Sequence, residues 1–106
     1  MAIYNKLVRD RIPEIIESNG GKATVRELDS AAFLQELKAK AEEEWKEYLE
    51  SASDNQAMEE LCDLLEVLHA LTHAHGSGFE ELEAIRKKKV QERGGFEKRL
   101  FLVEAE

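Results

Sequence analysis

Four acidic residues in two short stretches of the chain have the types and the spacing of a metal site. The members of each pair are three residues apart: Glu44 with Glu47, and Glu60 with Asp63. On a helix this spacing places both carboxylates of a pair on one face. Glu44 occupies a position of the apolar repeat in its stretch, and Glu60 leads into the apolar repeat of the other. Charges at such positions destabilise a fold unless a partner neutralises them.

A divalent cation is the partner that these acids predict. A run of acids more often marks a solvated helix face, but the phase of Glu44 within its apolar repeat argues against that interpretation. Neither apolar stripe carries a lysine or arginine, so we expect no side chain on these stripes to neutralise the acids. Carboxylate oxygens suit hard ions. The sequence therefore predicts a site for Mg²⁺, or alternatively Mn²⁺, with four ligands: Glu44, Glu47, Glu60 and Asp63.

Four helices must position these acids, and the short connections between them favour an antiparallel four-helix bundle. The first helix begins near Asp10, which would cap it, and stops at Asn19; the second follows a cap at Asp29 or Ser30 and runs to about Ser51. The third opens at Ser53 or Asp54 and ends at Gly76, and the fourth runs from Phe79 to about Arg93. The predicted fold class is therefore all-α.

Smaller features complete the predicted fold. Ser77 and Glu80 have the spacing of a capping box at the start of the fourth helix. Residues 24–28 and 98–103 have a loose strand pattern and could pair as a short two-stranded β appendage. Trp45 and Tyr48 are expected in the core or at a subunit interface. The length predicts a single domain over residues 1–106.

The composition limits the classes of partner. The chain has 106 residues, of which 15 are Lys or Arg and 23 are Asp or Glu, for a net charge of −8. This acidic balance argues against binding a nucleic-acid polymer, whose phosphates need cationic contacts. The apolar runs are too short to span a membrane, and no secretory signal is expected. The single cysteine, Cys62, indicates a reducing, cytoplasmic location, and we expect it to be a small core residue.

The acidic stretches also resemble a known signature. Residues 43–47, with the sequence EEWKE, and residues 60–63, with the sequence ELCD, are similar to the EExxE…ExxD signature of the all-α nucleoside triphosphate pyrophosphohydrolases. That superfamily includes MazG proteins, phosphoribosyl-ATP pyrophosphohydrolases and dimeric dUTPases. Residues 4–13 and 86–96 resemble the two ends of a MazG-like, phosphoribosyl-ATP-pyrophosphohydrolase-like subgroup. The resemblance thus covers nearly the whole chain.

The resemblance implies hydrolysis of a nucleoside triphosphate between its α and β phosphates, which gives a monophosphate and pyrophosphate. It implies Mg²⁺ held by the four acids named above, with Glu43 and Glu47 as catalytic residues. Glu43 would orient the attacking water or complete a second metal site. Four cations become candidate contacts of the triphosphate: Lys6, Arg9, Lys89 and Arg93. Because members of the superfamily are commonly dimers or tetramers, a homodimer or homotetramer is expected.

The residues leave several functions open. The resemblance fits the house-cleaning of non-standard nucleotides, and it also fits phosphoribosyl-ATP hydrolysis in histidine synthesis. A non-catalytic helical interaction module would share the same helices. A di-iron carboxylate bundle is a further class, but Glu66 and His69 supply one ExxH motif where such a site needs two.

Overall fold

The computed structural model describes residues 2–106, which form four α-helices and no β-strand. The helices are α1 (Ile12–Ser18), α2 (Ser30–Leu49), α3 (Asp54–Ala74) and α4 (Phe79–Arg93). The predicted all-α class is therefore confirmed, and the predicted ends of the helices agree with the structure to within about two residues. Within residues 2–106, no helix combines the length and the apolar character that crossing a membrane requires.

Two side-chain caps explain where the long helices begin. The Asp29 carboxylate accepts a hydrogen bond of 2.8 Å from the backbone N–H of Ala32, at the start of α2. The Ser53 hydroxyl accepts one of 3.1 Å from the N–H of Gln56, at the start of α3. Each bond satisfies a donor that has no partner within the first turn of a helix.

The predicted caps of α1 and α4 are wrong. Arg11, not Asp10, precedes α1, and no side chain caps that helix. Pro13 explains the difference, because it removes one of the two N–H groups that an Asp10 cap would bind. Gly78 precedes α4, and the Ser77 hydroxyl donates to the Glu81 carboxylate instead of closing a capping box.

α2 and α3 form an antiparallel hairpin that carries the predicted site. Residues 50–53 connect the two helices, and Glu44 late in α2 lies beside Glu60 early in α3. The hairpin buries Leu37 of α2 and Val67 of α3, which are 3% and 8% exposed. These two are the buried hydrophobic residues of the described chain, so one chain has a very small core.

The other two helices are loosely attached. Within residues 2–106, α4 packs on no helix other than α3, and the ring of Phe79 in its first turn stacks on the ring of His69 with centroids 3.5 Å apart. α1 packs against no other helix within residues 2–106. One chain therefore does not close the predicted four-helix bundle around a common core.

The dimensions of the chain agree with this open arrangement. The radius of gyration is 18.1 Å, whereas a compact domain of this length has one of about 13 Å. The accessible surface is 9762 Å², compared with about 6,000 Å² for a compact protein of this mass. Cys62, which the sequence predicted in the core, is exposed. The apolar stripes are present, but one copy of the chain leaves much of them uncovered.

The predicted β appendage does not form within residues 2–106, where no strand occurs. Residues 100–103 have no regular secondary structure and are strongly exposed, with Phe101 89% and Val103 85% accessible. Val25, in the other predicted strand, is 63% exposed. A two-stranded ribbon with no layer to cover is marginal in water, which explains why the strand pattern does not suffice.

The caps lead to a first prediction. We expect Ser53→Ala to lower the free energy of unfolding by about 1 kcal/mol, because the N–H of Gln56 loses its acceptor. Urea denaturation at fixed protein concentration measures the change. Ser77→Ala is the matched control, since Ser77 caps no helix and should cost clearly less. Equal losses for the two variants would contradict the assignment of the caps.

Candidate metal centre

Three glutamates from the two central helices meet beside the α2–α3 interface. Glu44 and Glu47 come from α2, and Glu60 comes from α3. One carboxylate oxygen from each residue lies within 4.8 Å of the other two. The i, i+3 spacing on α2 and the antiparallel hairpin together produce this arrangement. The structure thus brings together three of the four predicted metal ligands.

Glu44 is the most constrained member of this carboxylate cluster. It is 6% exposed, and its Oε2 atom contacts no hydrogen-bond donor within residues 2–106. The Oε2 atom of Glu60 is likewise buried without a donor. Buried carboxylate oxygens that lack a donor are costly, so each is a position where a cation would stabilise the fold.

Lys40 corrects one expectation from the sequence. The apolar stripes were expected to supply no neutralising side chain, but the Lys40 ammonium lies 3.6 Å from Glu44 Oε1 and 3.5 Å from Glu43 Oε2. The i, i+4 spacing of Lys40 and Glu44 is the signal that identifies this pair. Since Lys40 reaches Oε1 of Glu44, it leaves Oε2 of the same residue unpaired.

The environment of the carboxylate cluster opposes ionisation. Burial and the adjacent Glu47 carboxylate raise the pKa of Glu44, and the Lys40 ammonium offsets them only in part. Desolvation and the Glu47 carboxylate also raise the pKa of Glu60, and the negative charge of Asp63 adds to the shift. A bound cation would reverse this preference, because it favours the charged form of every carboxylate around it.

A hard divalent ion fits this set of donors. The site offers three carboxylate oxygens around one centre, and it holds two buried oxygens that have no donor. Mg²⁺ commonly binds to few carboxylates and keeps several water molecules, so three protein ligands are sufficient. The absence of sulfur and imidazole from the cluster is also consistent with Mg²⁺ or Mn²⁺.

Asp63, the fourth predicted ligand, makes a different contact. Its Oδ1 atom accepts a hydrogen bond of 2.8 Å from the Arg9 guanidinium. This ion pair joins α3 to the segment that precedes α1. Asp63 is still near enough for its charge to raise the pKa values of Glu44 and Glu60. It therefore lies next to the carboxylate cluster, with its carboxylate held by Arg9.

Glu43 is also paired with the segment before α1. The Lys6 ammonium lies 3.3 Å from Glu43 Oε1. Partial burial disfavours the charge of Glu43, but the ammonium groups of Lys6 and Lys40 outweigh it and lower the pKa of this carboxyl. Lys6 and Lys40 therefore favour the ionised form of Glu43, in contrast to the raised pKa values of Glu44 and Glu60.

The remaining candidate residues lie apart from the carboxylate cluster. Lys89 and Arg93 are exposed on α4, and within residues 2–106 neither forms an ion pair or a hydrogen bond with the acids. The His69 ring contacts Phe79 and is not part of the cluster, so the single ExxH motif assembles no di-iron site in the described chain. Trp45 stacks on Tyr48 with ring centroids 5.3 Å apart and is 49% exposed.

Comparisons with known proteins found no matching family model, no matching characterised protein and no matching solved structure. The resemblance of the acidic stretches to a pyrophosphohydrolase signature therefore rests on those residues alone. The function has to be argued from the geometry of the site.

The raised pKa of Glu44 predicts how stability depends on pH. Between the ordinary pKa of a glutamate and the raised value, the folded protein binds more protons than the unfolded chain, so its stability falls as the pH rises. We expect metal-free Glu44→Gln to be more stable than the wild type at pH 7. The difference should vanish below about pH 4, where the carboxyl is protonated in both states.

Urea denaturation in a chelating buffer tests this expectation. Glu42→Gln is the matched control, because Glu42 is exposed on the same helix and makes no ion pair within residues 2–106. Adding Mg²⁺ should then stabilise the wild type more than Glu44→Gln. A Glu44→Gln protein that is less stable than the wild type at pH 7 without metal would contradict this account of the site.

Proposed function

We propose that this protein is a Mg²⁺-dependent nucleoside triphosphate pyrophosphohydrolase, which hydrolyses the bond between the α and β phosphates. The observation that carries the proposal is the carboxylate cluster, in which the buried Glu44 meets Glu47 and Glu60 from two helices. The similarity of residues 43–47 and 60–63 to the pyrophosphohydrolase signature supports the same conclusion.

Glu44, Glu47 and Glu60 would hold the metal, and Asp63 would join them if Arg9 released it. When bound, Mg²⁺ supplies neutralising charge at the phosphate oxygens and makes a nearby water molecule more acidic. An acidic protein gains most from this chemistry, because it cannot attract a triphosphate with its own net charge of −8.

The reaction consumes one water molecule, breaks the α–β anhydride bond, and releases a nucleoside monophosphate and pyrophosphate. A group that accepts a proton from that water must lie at the edge of the metal site. Glu43 is held ionised there, and Glu47 belongs to the cluster itself. We therefore assign the orientation of water to Glu43, and a combined role in metal binding and catalysis to Glu47.

The phosphate contacts divide into two groups. Lys6 and Arg9 lie beside the carboxylate cluster, where the phosphates of a metal-bound substrate would also lie. Lys89 and Arg93 have only the resemblance to support them, because α4 packs elsewhere on α3. We therefore propose Lys6 and Arg9 as the primary contacts of the triphosphate.

A second copy of the chain would complete the fold. Four apolar residues form an uncovered stripe on α3, spaced three, four and three residues apart: Met58, Leu61, Leu65 and Leu68. All are between 38% and 66% exposed, although this spacing is typical of a helix–helix contact. An obligate dimer buries about 1,000–2,500 Å² on each copy. The excess surface of about 3,700 Å² can supply that area.

We infer that two hairpins pack through this stripe and form a four-helix bundle between copies, in the expected homodimer or homotetramer. The exposed Trp45, which stacks on the half-buried Tyr48, would lie at or near such an interface. The exposed thiol of Cys62 on the same hairpin favours the reducing cytoplasm, where it stays unpaired.

The activity is tested by pyrophosphate release from a panel of nucleotides, with and without Mg²⁺. Glu47→Ala and Asp63→Ala should each lower Mg²⁺-dependent turnover by at least about 100-fold, because a ligand or proton acceptor is lost. Glu42→Ala is the control on the same helix and should retain activity. Undiminished turnover in Glu47→Ala, or no turnover by the wild type on any nucleotide, would contradict the proposal.

The same panel separates the candidate functions. Activity on many non-standard nucleotides supports a house-cleaning role, and activity confined to phosphoribosyl-ATP supports a role in histidine synthesis. A folded, metal-binding protein without activity would favour a non-catalytic interaction module.

The oligomer has its own test. Light scattering coupled to size-exclusion chromatography should give a mass of at least two chains for the wild type. We expect Leu65→Asp to dissociate the oligomer, because it places a charge in the middle of the uncovered stripe. Asn55→Asp, which adds the same charge at an exposed position of α3, should leave the mass unchanged. A monomeric wild type would refute the assembly.

A further inference from the structure

The segment that precedes α1 is fastened across both helices of the site by two ion pairs. We call residues 2–11 the strap. Lys6 pairs with Glu43 of α2 at 3.3 Å, and Arg9 pairs with Asp63 of α3 at 2.8 Å. The partners in each pair are 37 and 54 residues apart in sequence, so these are tertiary contacts and not local ones. No helix of the described chain packs on α1, the element that follows the strap.

The two acids that hold the strap flank the carboxylate cluster. Three cations face five carboxylates on this surface: Lys6, Arg9 and Lys40 against Glu43, Glu44, Glu47, Glu60 and Asp63. The face remains acidic in spite of the strap, so it still attracts a cation. The Arg9 and Lys6 side chains are 57% and 46% exposed. Ion pairs with this exposure are weak and exchange readily.

We propose that the strap is a displaceable set of counter-charges, in which Lys6 and Arg9 neutralise Glu43 and Asp63 until a divalent ion enters the carboxylate cluster. An ion among Glu44, Glu47 and Glu60 adds positive charge beside Glu43 and Asp63, so the strap loses its attraction to these two acids. Lys6 and Arg9 then become free to bind the phosphates of the substrate. The part of this inference in which Lys6 and Arg9 bind phosphates rests on the proposed function. It assigns an order of binding, with the metal ion first and the nucleotide second.

The physical reason is competition for the same negative charge. An oxygen of Asp63 that accepts a hydrogen bond from Arg9 is less available as a ligand, and a cation beside the cluster repels the Arg9 guanidinium. Linkage requires this effect to be mutual, so a strap that weakens metal binding must itself be weakened by the metal to the same degree. Once a triphosphate is present, the Lys6 and Arg9 side chains contact its phosphate oxygens and support its binding.

The first test measures the binding of Mn²⁺ alone by titration calorimetry, without nucleotide. We expect Arg9→Ala to bind Mn²⁺ about two- to five-fold more tightly than the wild type, since a competing ion pair is lost. Arg11→Ala is the matched control: it also removes one positive charge from the strap, but Arg11 pairs with Glu14 and not with the cluster. Equal or weaker binding by Arg9→Ala, relative to Arg11→Ala, would overturn the proposal.

The second test follows the strap in the wild-type protein. Trypsin must bind the Lys or Arg side chain at the bond that it cuts, so the ion pairs should slow cleavage after Lys6 and Arg9. Adding Mn²⁺ should accelerate those cuts several-fold. Cleavage after Arg26, in the exposed connection between α1 and α2, should not change and serves as the internal control. Strap cleavage that does not respond to Mn²⁺ would contradict the displacement.

The outcomes separate this inference from the proposed function. Tighter Mn²⁺ binding by Arg9→Ala and metal-dependent strap cleavage would support the displaceable strap even if no nucleotide were hydrolysed. Hydrolysis by a wild type whose strap does not respond to metal would support the enzyme and refute the strap. Failure of the wild type to bind Mn²⁺ would overturn both. In an active enzyme, Arg9→Ala should raise KM for the nucleotide while it tightens metal binding, a combination that a purely structural role would not produce.

Discussion

The burial of the Glu44 carboxylate beside two like-charged neighbours is the constraint on which the rest of this structure depends. An uncompensated charge at a helix–helix contact would separate α2 from α3, yet this hairpin contains the only buried hydrophobic residues of the described chain. Lys40 relieves one oxygen of Glu44 and leaves the other without a donor. The same group thus limits the stability of the metal-free protein and marks the position where a bound cation would stabilise it.

The small core and the charged site have a common origin. The hairpin uses part of its inner surface for carboxylates, so few positions remain for apolar packing. Leu37 and Val67 are the hydrophobic residues that it buries. A protein of this size with so little buried apolar surface is expected to need a further source of stability. The proposed metal binding and the proposed association with a second copy would be two such sources, and both would involve α3.

The parts of this structure that were predictable from sequence depend on local contacts. Caps at Asp29 and Ser53 and a glycine after α3 set the ends of the long helices within about two residues. The phase of Glu44 in its apolar repeat indicated a charge facing inward. The contact between Arg9 and Asp63 joins residues 54 positions apart and leaves no local signal. The open bundle was missed because an apolar stripe does not indicate which chain will cover it.

The four-residue connection between α2 and α3 has a consequence for how this chain can vary in length. Since the connection is short, the separation of 16 positions between Glu44 and Glu60 fixes which carboxylates face each other. One residue inserted within either helical part of this interval would rotate everything beyond it by about 100° and separate the ligands. Lengthening is therefore more tolerable at the ends of the chain and between α1 and α2 than in the helical parts of this interval.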